Sequence, residues 1–160
     1  YREIKLDDKI YKLFTNDLAN SRKVIYCTDN CGEIVLDKLL IKYLTLYYPQ
    51  LEIQVIVRGE EIGNDASIED AENISMQEVA AFEGNGTTIA GTSLHLLSDE
   101  LKKKFYKADM IISKGQGNYE TLSGSGLNIY YLFLCKCNHL QKIFLAKFLD
   151  PIFSMECERR

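Results

Sequence analysis

Short runs of apolar, β-branched residues alternate along the chain with longer stretches whose apolar positions recur every three or four residues. The segments "KVIYCT" (23–28) and "EIQVIVRG" (52–59) are rich in valine and isoleucine, which is typical of buried strands. Between them, residues 33–47 place their apolar side chains at helical spacing, and Pro49 stops the helical stretch. The pattern predicts a strand, a helix that covers a sheet, and a second strand.

The second half of the chain continues this alternation. A helix is predicted from about Ser67, and the best-marked helix is "LSDELKKKFYKA" (97–108), with Ser98 as its N-cap. Three further strands are predicted, at "TTIAGTS" (87–93), "DMIISKG" (109–115) and "LNIYYLFLCKC" (127–137). The last of these is the most apolar, so we expect it to be central in the sheet.

Two segments are less regular. The glycine-rich "QGNYETLSGSG" (116–126) is predicted as a turn with one helical turn inside it, and the tail holds one more helix before "DPIFSMECERR" (150–160). Strands that alternate with helices predict an α/β protein. We expect a three-layer α/β/α sandwich with a mostly parallel, Rossmann-like sheet.

The first 20 residues are predicted to form a helical connector from the N-terminal region of a longer protein. Their apolar residues fall on one helical face, namely Ile4, Leu6, Ile10, Leu13 and Phe14. The chain also begins at Tyr1 rather than at methionine. We therefore divide the chain into a connector, residues 1–20, and an α/β domain, residues 21–160.

Composition excludes several classes of protein. The formal net charge is -4, which argues against nucleic acid as a partner. No apolar run reaches the ~18 residues that a membrane helix needs, so no membrane partner is expected. The five cysteines are an odd number without a secretion signal, which favours reduced thiols. We expect a soluble, cytoplasmic protein; its oligomeric state is not predicted.

Polar residues follow the predicted strands at the edge where parallel sheets bind ligands. Asp29 and Asn30 follow the first strand, Asp65 follows the second, and Lys114 with Gly115 ends a later one. Carboxylate and amide oxygens suit Mg²⁺ or Mn²⁺ rather than zinc. A lysine beside glycines that expose their backbone N–H groups suits a phosphate oxygen. This combination is what phosphoryl-group chemistry requires.

Each signal taken alone has a plainer explanation. Asp29 and Asn30 also fit a turn with a helix cap, and Asp65 or Ser67 fits a helix start. "KGQGN" (114–118) also fits an ordinary loop, and no glycine fingerprint for a nucleotide occurs in the chain. The intervals in "CKCNH" (135–139) and between Cys27 and Cys31 do not match structural zinc sites.

Four motifs in order carry a family resemblance. They are "TDNCGEIVLDKLL" (28–40), "GNDASIEDA" (63–71), "GTSL" (91–94) and "ADMIISKGQGNYETLSG" (108–124). Together they closely resemble the metal-dependent damage-control phosphatases, also known as domain of unknown function eighty-nine. The resemblance runs from about Lys23 to Cys137 and implies that residues 21–160 are a metal-binding, phosphatase-like α/β domain with one divalent metal at the strand ends.

The resemblance also implies roles for individual residues. Asp29, Asn30 and Asp65 match the metal ligands, and Lys114 matches the phosphate-binding lysine, with Asn118 beside it. The catalytic candidates are Asp29, Asp65 and Lys114, and the substrate-binding candidates are Lys114, Gly115, Asn118, Glu33 and Ser67. A buried ammonium needs an anionic companion. We expect Lys114 to face a phosphate and to serve turnover more than folding, with a carboxylate such as Glu33 or Glu120 as the alternative partner.

The function that these motifs favour is hydrolysis of a small phosphorylated metabolite, such as a sugar phosphate or a damaged cofactor phosphate. The expected cofactor is Mn²⁺ or Mg²⁺, with Co²⁺ or Ni²⁺ as alternatives, and its role is to activate a water. A non-catalytic, regulatory metal-binding domain of the same fold is a second hypothesis. A nucleotide-binding Rossmann-like protein is a third, against which the missing glycine fingerprint argues.

Overall fold

A computed structural model describes residues 6–156 of the chain. Its strands are β1 (Lys23–Cys27), β2 (Glu52–Val57), β3 (Ala81–Gly84), β4 (Met110–Lys114), β5 (Ile129–Leu134) and β6 (Pro151–Met155). Its helices are α1 (Asp8–Asn20), α2 (Ile34–Tyr47), α3 (Ile68–Asn73), α4 (Asp99–Lys107), α5 (Gln116–Leu122) and α6 (Asn138–Phe144). A 3₁₀ turn (Met76–Glu78) follows α3.

The six strands form one sheet in the order β3-β2-β1-β4-β5-β6. The first five are parallel, and β6 pairs antiparallel with β5. The chain builds outward from β1 to β3 and then crosses back to place β4 on the other side of β1. Adjacent strands β1 and β4 are therefore the switch point, where open α/β sheets bind ligands beyond the carboxyl ends of their strands.

Apolar residues of the strands alternate between two cores, one on each face of the sheet. Val24 and Tyr26 of β1 belong to the core that α1, α2 and α3 cover. Ile25 and Cys27 of the same strand belong to the core under α4, α5 and α6. The predicted α/β class with a mostly parallel sheet and helices on both faces is confirmed.

Helix α1 packs on the sheet through its apolar face. Asp7 caps it by accepting hydrogen bonds from the N–H groups of Lys9 and Ile10. Phe14 packs edge-on against the rings of Tyr130 and Phe153, with centroid distances of 5.1 and 5.4 Å. The helix lies within the predicted N-terminal segment, whose Ile4 falls outside the described residues.

Helix α2 is apolar on more than one side. It buries Ile34, Ile41 and Leu44 against the sheet, while Leu36, Leu46 and other apolar residues of its outer side remain exposed. At 14 residues it is too short to cross a membrane. No helix within residues 6–156 is long and apolar enough to span a membrane.

The strand predicted at "TTIAGTS" is wrong. Strand β3 lies just before it, and residues 85–98 form a loop. Asn85 holds this loop by accepting hydrogen bonds from Thr87 N and Oγ1 and by donating to the carbonyl of Gly91. These side-chain bonds replace a strand ladder. β3 is a short edge strand with no fully buried residue, so no apolar run marks it.

Three smaller predictions also need correction. Helix α5 has 7 residues rather than a single turn, and β6 was not anticipated in the tail. Strand β5 is not central, because it lies second from the edge of the sheet. It is apolar because α5, α6 and α1 cover its two faces and β6 covers its outer edge.

Candidate metal and phosphate site

Two loops pair at the carboxyl edge of the sheet, one after β1 and one after β2. The Ala66 N–H donates to the carbonyl of Asp29, and the Cys31 N–H donates to the carbonyl of Asn64, both at 2.8 Å. Asn30 and Asp65 consequently face each other as an antiparallel bridge. Directly opposed residues of such a bridge project their side chains to the same side, so Asn30 and Asp65 present their side chains to one side of the paired loops.

The carboxylate of Asp29 lies against Gly115, the residue after β4. A Cβ atom on Gly115 would stand 2.0 Å from Asp29 Cγ, and the φ angle of Gly115 is +86°. Only glycine satisfies both conditions. Burial raises the pKa of the Asp29 carboxyl, and the neighbouring Asp65 and Glu33 raise it further. Asp29 and Asp65 therefore repel each other in the absence of a cation.

Arg58, the residue after β2, was not predicted from the sequence as a site residue. Its Nε donates to Asp65 Oδ2 at 2.6 Å, and its side chain is 1% exposed. Nη1 donates to Thr92 Oγ1 at 3.2 Å and to Asn118 Oδ1 at 3.3 Å. An arginine in a predicted strand is a weak signal, because most arginines there lie at a solvent-facing position.

Asn118 is buried beneath the site. Its amide nitrogen donates to the carbonyls of Thr28 and Lys114, at 2.8 and 2.7 Å. Its amide oxygen accepts from Arg58. The side chain thus joins the ends of β1 and β4, through the residues that precede Asp29 and Gly115. Both of its polar atoms are engaged within the protein, so the structure places this substrate-binding candidate in a supporting position.

Lys114 is held by two carboxylates of the segment that leads into and through α2. Its Nζ lies 2.7 Å from Glu33 Oε2 and 2.9 Å from Asp37 Oδ1. Asp37 was not predicted; its side chain is 3% exposed, whereas that of Glu33 is 43% exposed. The Tyr26 hydroxyl also donates to Asp37 Oδ1, at 2.7 Å.

The charge of Lys114 is firmly held. Burial opposes protonation, but Asp37 and Glu33 outweigh it and raise the pKa of Lys114 above its ordinary value. Of the two carboxylates named in advance as alternative partners, Glu33 makes the pair. Glu120 accepts instead from Gln116, at 2.8 Å.

Ser67 caps the N-terminus of α3 and does not line the cavity beside the candidate site. Its hydroxyl accepts from the Asp70 N–H at 3.2 Å, and the carboxylate of Asp70 accepts from the Ser67 N–H at 2.8 Å. This is a capping box at the start of α3. Of the two residues considered for that cap, Ser67 fills the position.

A cavity of about 880 Å³ opens beside these groups. Its polar lining includes Asp29, Glu33, Lys114, Gly115 and Lys136, and most of its other lining residues are apolar residues of α1, β5 and β6. Lys136 follows β5 in "CKCNH", and its charge lowers the pKa of Asp29, against the larger effect of burial. Lys136, like Lys114, is a lysine near the carboxyl end of a predicted strand, so the same sequence signal could have identified it as a candidate phosphate-binding residue.

A sequence model described as the damage-control phosphatase ARMT1-like domain matches residues 2–147. The chain belongs to this family. Among its relatives are an uncharacterised protein of Methanocaldococcus jannaschii, 38% identical over 141 residues, and a damage-control phosphatase of Pyrococcus horikoshii, 35% identical over 140 residues. Each match covers 84% of this chain, and 45% and 48% of the respective relative. The chain thus spans about half the length of these relatives.

The fold of this family member agrees with a solved structure. A crystal structure of a domain-of-unknown-function-eighty-nine protein from Pyrococcus horikoshii superposes with a TM-score of 0.86 at 30% sequence identity. The superposition covers 98% of this chain and 54% of the other. The sheet and the loops that form the candidate site therefore belong to the fold shared with that protein.

The family is metal-dependent in general, and the donor set of this member fits a hard divalent cation. Asp29 and Asp65 supply carboxylates, and Asn30 supplies an amide oxygen that accepts from the Gly32 N–H at 2.7 Å and retains a second lone pair. Within residues 6–156 no three His, Cys, Asp or Glu side chains are placed to hold a metal together, so the set depends on Asn30. Cys27 does not compete, since burial raises the pKa of its thiol to about 12.

Proposed function

We propose that this domain is a metal-dependent phosphatase that hydrolyses small phosphorylated metabolites, such as sugar phosphates or damaged cofactor phosphates. The observation that carries the proposal is the opposed pair Asn30–Asp65, with the Asp29 carboxylate packed on Gly115 beside a cavity to whose lining Lys114 and Lys136 contribute. Negative ligands for a cation and positive groups for an anion stand side by side. Phosphate ester hydrolysis requires both.

Asp29, Asn30 and Asp65 are the residues that would hold the ion, and Mn²⁺ or Mg²⁺ suits their oxygens best, with Co²⁺ or Ni²⁺ as alternatives. A bound divalent ion supplies positive charge for the phosphate and makes a water more acidic. Gly115 supports the same site by leaving room for the Asp29 carboxylate.

Lys114 and Lys136 are the groups that would bind the phosphate. Both line the cavity next to Asp29, and an ammonium suits a phosphate oxygen as a compact charge. Glu33 is the more exposed partner of Lys114 and Asp37 the buried one. A phosphate would therefore replace Glu33 while Asp37 continues to orient the lysine. Lys114 then offsets negative charge on the group being transferred.

A phosphatase assay over a metabolite panel tests this proposal. Phosphate release is measured with Mg²⁺, Mn²⁺, Co²⁺ or Ni²⁺, and with EDTA, for the wild type and for Asp65→Asn. We expect metal-dependent release that Asp65→Asn reduces by roughly 100-fold or more, as for other groups that act directly at a metal site. Release that EDTA leaves unchanged would overturn metal dependence. Tight Mn²⁺ binding without release from any phosphate ester would favour the regulatory alternative.

A further inference from the structure

Among residues 6–156, Arg58 is the largest of the fully buried side chains, and the proposed chemistry does not use it. At 1% exposure its guanidinium cannot reach a substrate in the cavity. A buried charge is costly unless it is paired and hydrogen-bonded. Its partners therefore indicate what Arg58 does for the site.

The contacts of Arg58 fix both the plane and the direction of the guanidinium. Nη1 donates to Thr92 Oγ1 and Asn118 Oδ1, and Nε donates to Asp65 Oδ2 at the shorter distance of 2.6 Å. A guanidinium is planar, so two acceptors on Nη1 determine where Nε points. The direction of Nε in turn determines the orientation of the Asp65 carboxylate.

Asn118 links this arrangement to the other site residues. The amide that accepts from Arg58 also donates to the carbonyls of Thr28 and Lys114. Thr28 precedes Asp29, and Lys114 precedes Gly115. The plane of Arg58 is therefore set by the same side chain that joins the ends of β1 and β4.

We infer that Arg58 is a positioning residue: its guanidinium, oriented by Thr92 and Asn118, holds Asp65 Oδ2 and leaves Asp65 Oδ1 as the oxygen that would bind a divalent ion. The inference rests on the proposed function, because it assumes that Asp65 is a ligand. Residues that orient a metal ligand by hydrogen bonding contribute to affinity although they do not touch the ion.

The charge of Arg58 and its positioning role predict opposite changes in Mn²⁺ affinity when Arg58 is replaced. A buried positive charge close to the site repels a divalent cation, so electrostatics alone predicts tighter Mn²⁺ binding when Arg58 is replaced by an uncharged residue. Positioning predicts weaker binding. The sign of the change in the Mn²⁺ dissociation constant therefore separates the two.

Isothermal titration of the chain with Mn²⁺ measures this sign. We expect Arg58→Met to weaken Mn²⁺ binding by about 10–100-fold. Arg58→Lys keeps the charge, but one ammonium cannot hold three acceptors in a plane, so we expect a loss of roughly tenfold. The matched control is Lys104→Met, which removes a 2.6 Å ion pair with Glu83. That pair joins α4 to the edge strand β3, and its removal should leave Mn²⁺ affinity unchanged.

Thr92→Val keeps Arg58 in place and removes one of the two acceptors that set its plane. We expect it to weaken Mn²⁺ binding by about threefold, less than loss of the whole guanidinium. If Arg58→Met does not fold, Arg58→Lys and Thr92→Val decide the matter, and unchanged affinity in both overturns the inference.

The wild-type titration separates this inference from the proposed function. Equal or tighter Mn²⁺ binding by folded Arg58→Met overturns the positioning role and leaves the metal site standing. A wild-type chain that does not bind Mn²⁺ overturns the metal site and the inference together.

Discussion

Lys114 pairs with the solvent-exposed carboxylate of Glu33 and with the buried carboxylate of Asp37. Asp37 is 3% exposed, and its Oδ2 has no hydrogen-bond partner in the part of the chain that the structure describes. Removal of the lysine would leave a buried carboxylate supported only by the hydroxyl of Tyr26. This contact gives Lys114 a part in folding as well as the part in turnover that the sequence suggests.

We predict that Lys114→Met lowers the free energy of unfolding by about 3 kcal/mol, as expected when one partner of a buried ion pair is removed. The same change should reduce kcat/KM for phosphate release by about 100-fold. Urea unfolding and steady-state assays measure the two effects. Full activity in a folded mutant would remove Lys114 from the mechanism.

Glu33→Gln is the matched change on the exposed partner of Lys114. It removes an ion pair whose carboxylate is 43% exposed, so we predict a loss below about 1 kcal/mol in the free energy of unfolding. A loss as large as that of Lys114→Met would contradict the division between an exposed and a buried partner. Urea unfolding of both variants at one pH makes the comparison.

The close contact between Gly115 and the Asp29 carboxylate can be tested by adding one methyl group at residue 115. Gly115→Ala places a methyl group where the Asp29 carboxylate lies, so we predict that Mn²⁺ affinity falls by about tenfold or more. Gly124→Ala is the control, because Gly124 has a similar φ of +83° but open space around the added Cβ. It should lose about 1–3 kcal/mol of stability from the strained backbone and keep its Mn²⁺ affinity. Equal affinities in the two variants would contradict the contact.

At the scale of elements, Asp109 joins the starts of the two central strands. Asp109 lies just before β4, and its Oδ2 accepts from the N–H groups of Arg22 and Lys23 at the start of β1, at 2.9 and 2.8 Å. The N–H groups of Lys23 and Arg22 lower the pKa of the Asp109 carboxyl. A carboxyl whose pKa is lower in the folded state stabilises the fold above its unfolded pKa, and the stabilisation is lost as the pH falls through the folded value.

We therefore predict that Asp109→Ala lowers stability by about 1 kcal/mol at pH 7. The difference from the wild type should shrink as the pH falls below about 4, the ordinary range of an unfolded Asp, and through the lowered pKa of the Asp109 carboxyl in the folded wild type. Urea unfolding between pH 7 and pH 3 measures it, and Glu61→Ala, which removes an exposed loop carboxylate, serves as control. A difference that stays constant with pH would contradict this assignment.

The elements that sequence patterns predict well here are those with a buried face. β1, β2, β4 and β5 appear as apolar runs, and α4 as a capped helix. β3 and β6 were missed because edge strands expose much of their surface and show no continuous apolar run. The sequence also does not show which side of α2 faces the sheet, because apolar residues occur on both the buried and the exposed side of this helix.

The candidate site was predictable only in part, for a related reason. Asp29, Asn30, Asp65 and Lys114 are recognisable because polar residues directly follow apolar strands. Arg58 and Asp37 are not, because Arg58 falls within the strand predicted at residues 52–59 and Asp37 within a predicted helix, where charged residues are usually solvated. Only the folded arrangement shows that both are buried beside the site.

At the scale of the whole molecule, the site is assembled from residues between 29 and 136 and is incomplete without the sheet. Asp29 and Asp65 come from different loops, and burial raises the pKa of Asp29, with Asp65 adding to the effect. A cation that neutralised this repulsion would bind the folded state and not the separated loops. The cytoplasmic location stays a prediction of the sequence.

We predict that Mn²⁺ stabilises the fold, by about 2.7 kcal/mol when its free concentration is 100 times the dissociation constant. Thermal melts in Mn²⁺ and in EDTA measure the shift, and Asp65→Asn should abolish most of it. Identical midpoints for the wild type at saturating Mn²⁺ would count against a specific site.

The most direct test of the account is to locate the ion. Crystals of the chain grown or soaked with Mn²⁺ should show one strong anomalous peak, with oxygens of Asp29, Asn30 and Asp65 at about 2.0–2.6 Å and Arg58 still bound to Asp65 Oδ2. A peak elsewhere, or side chains of these three residues that point away from a common position, would contradict the metal site.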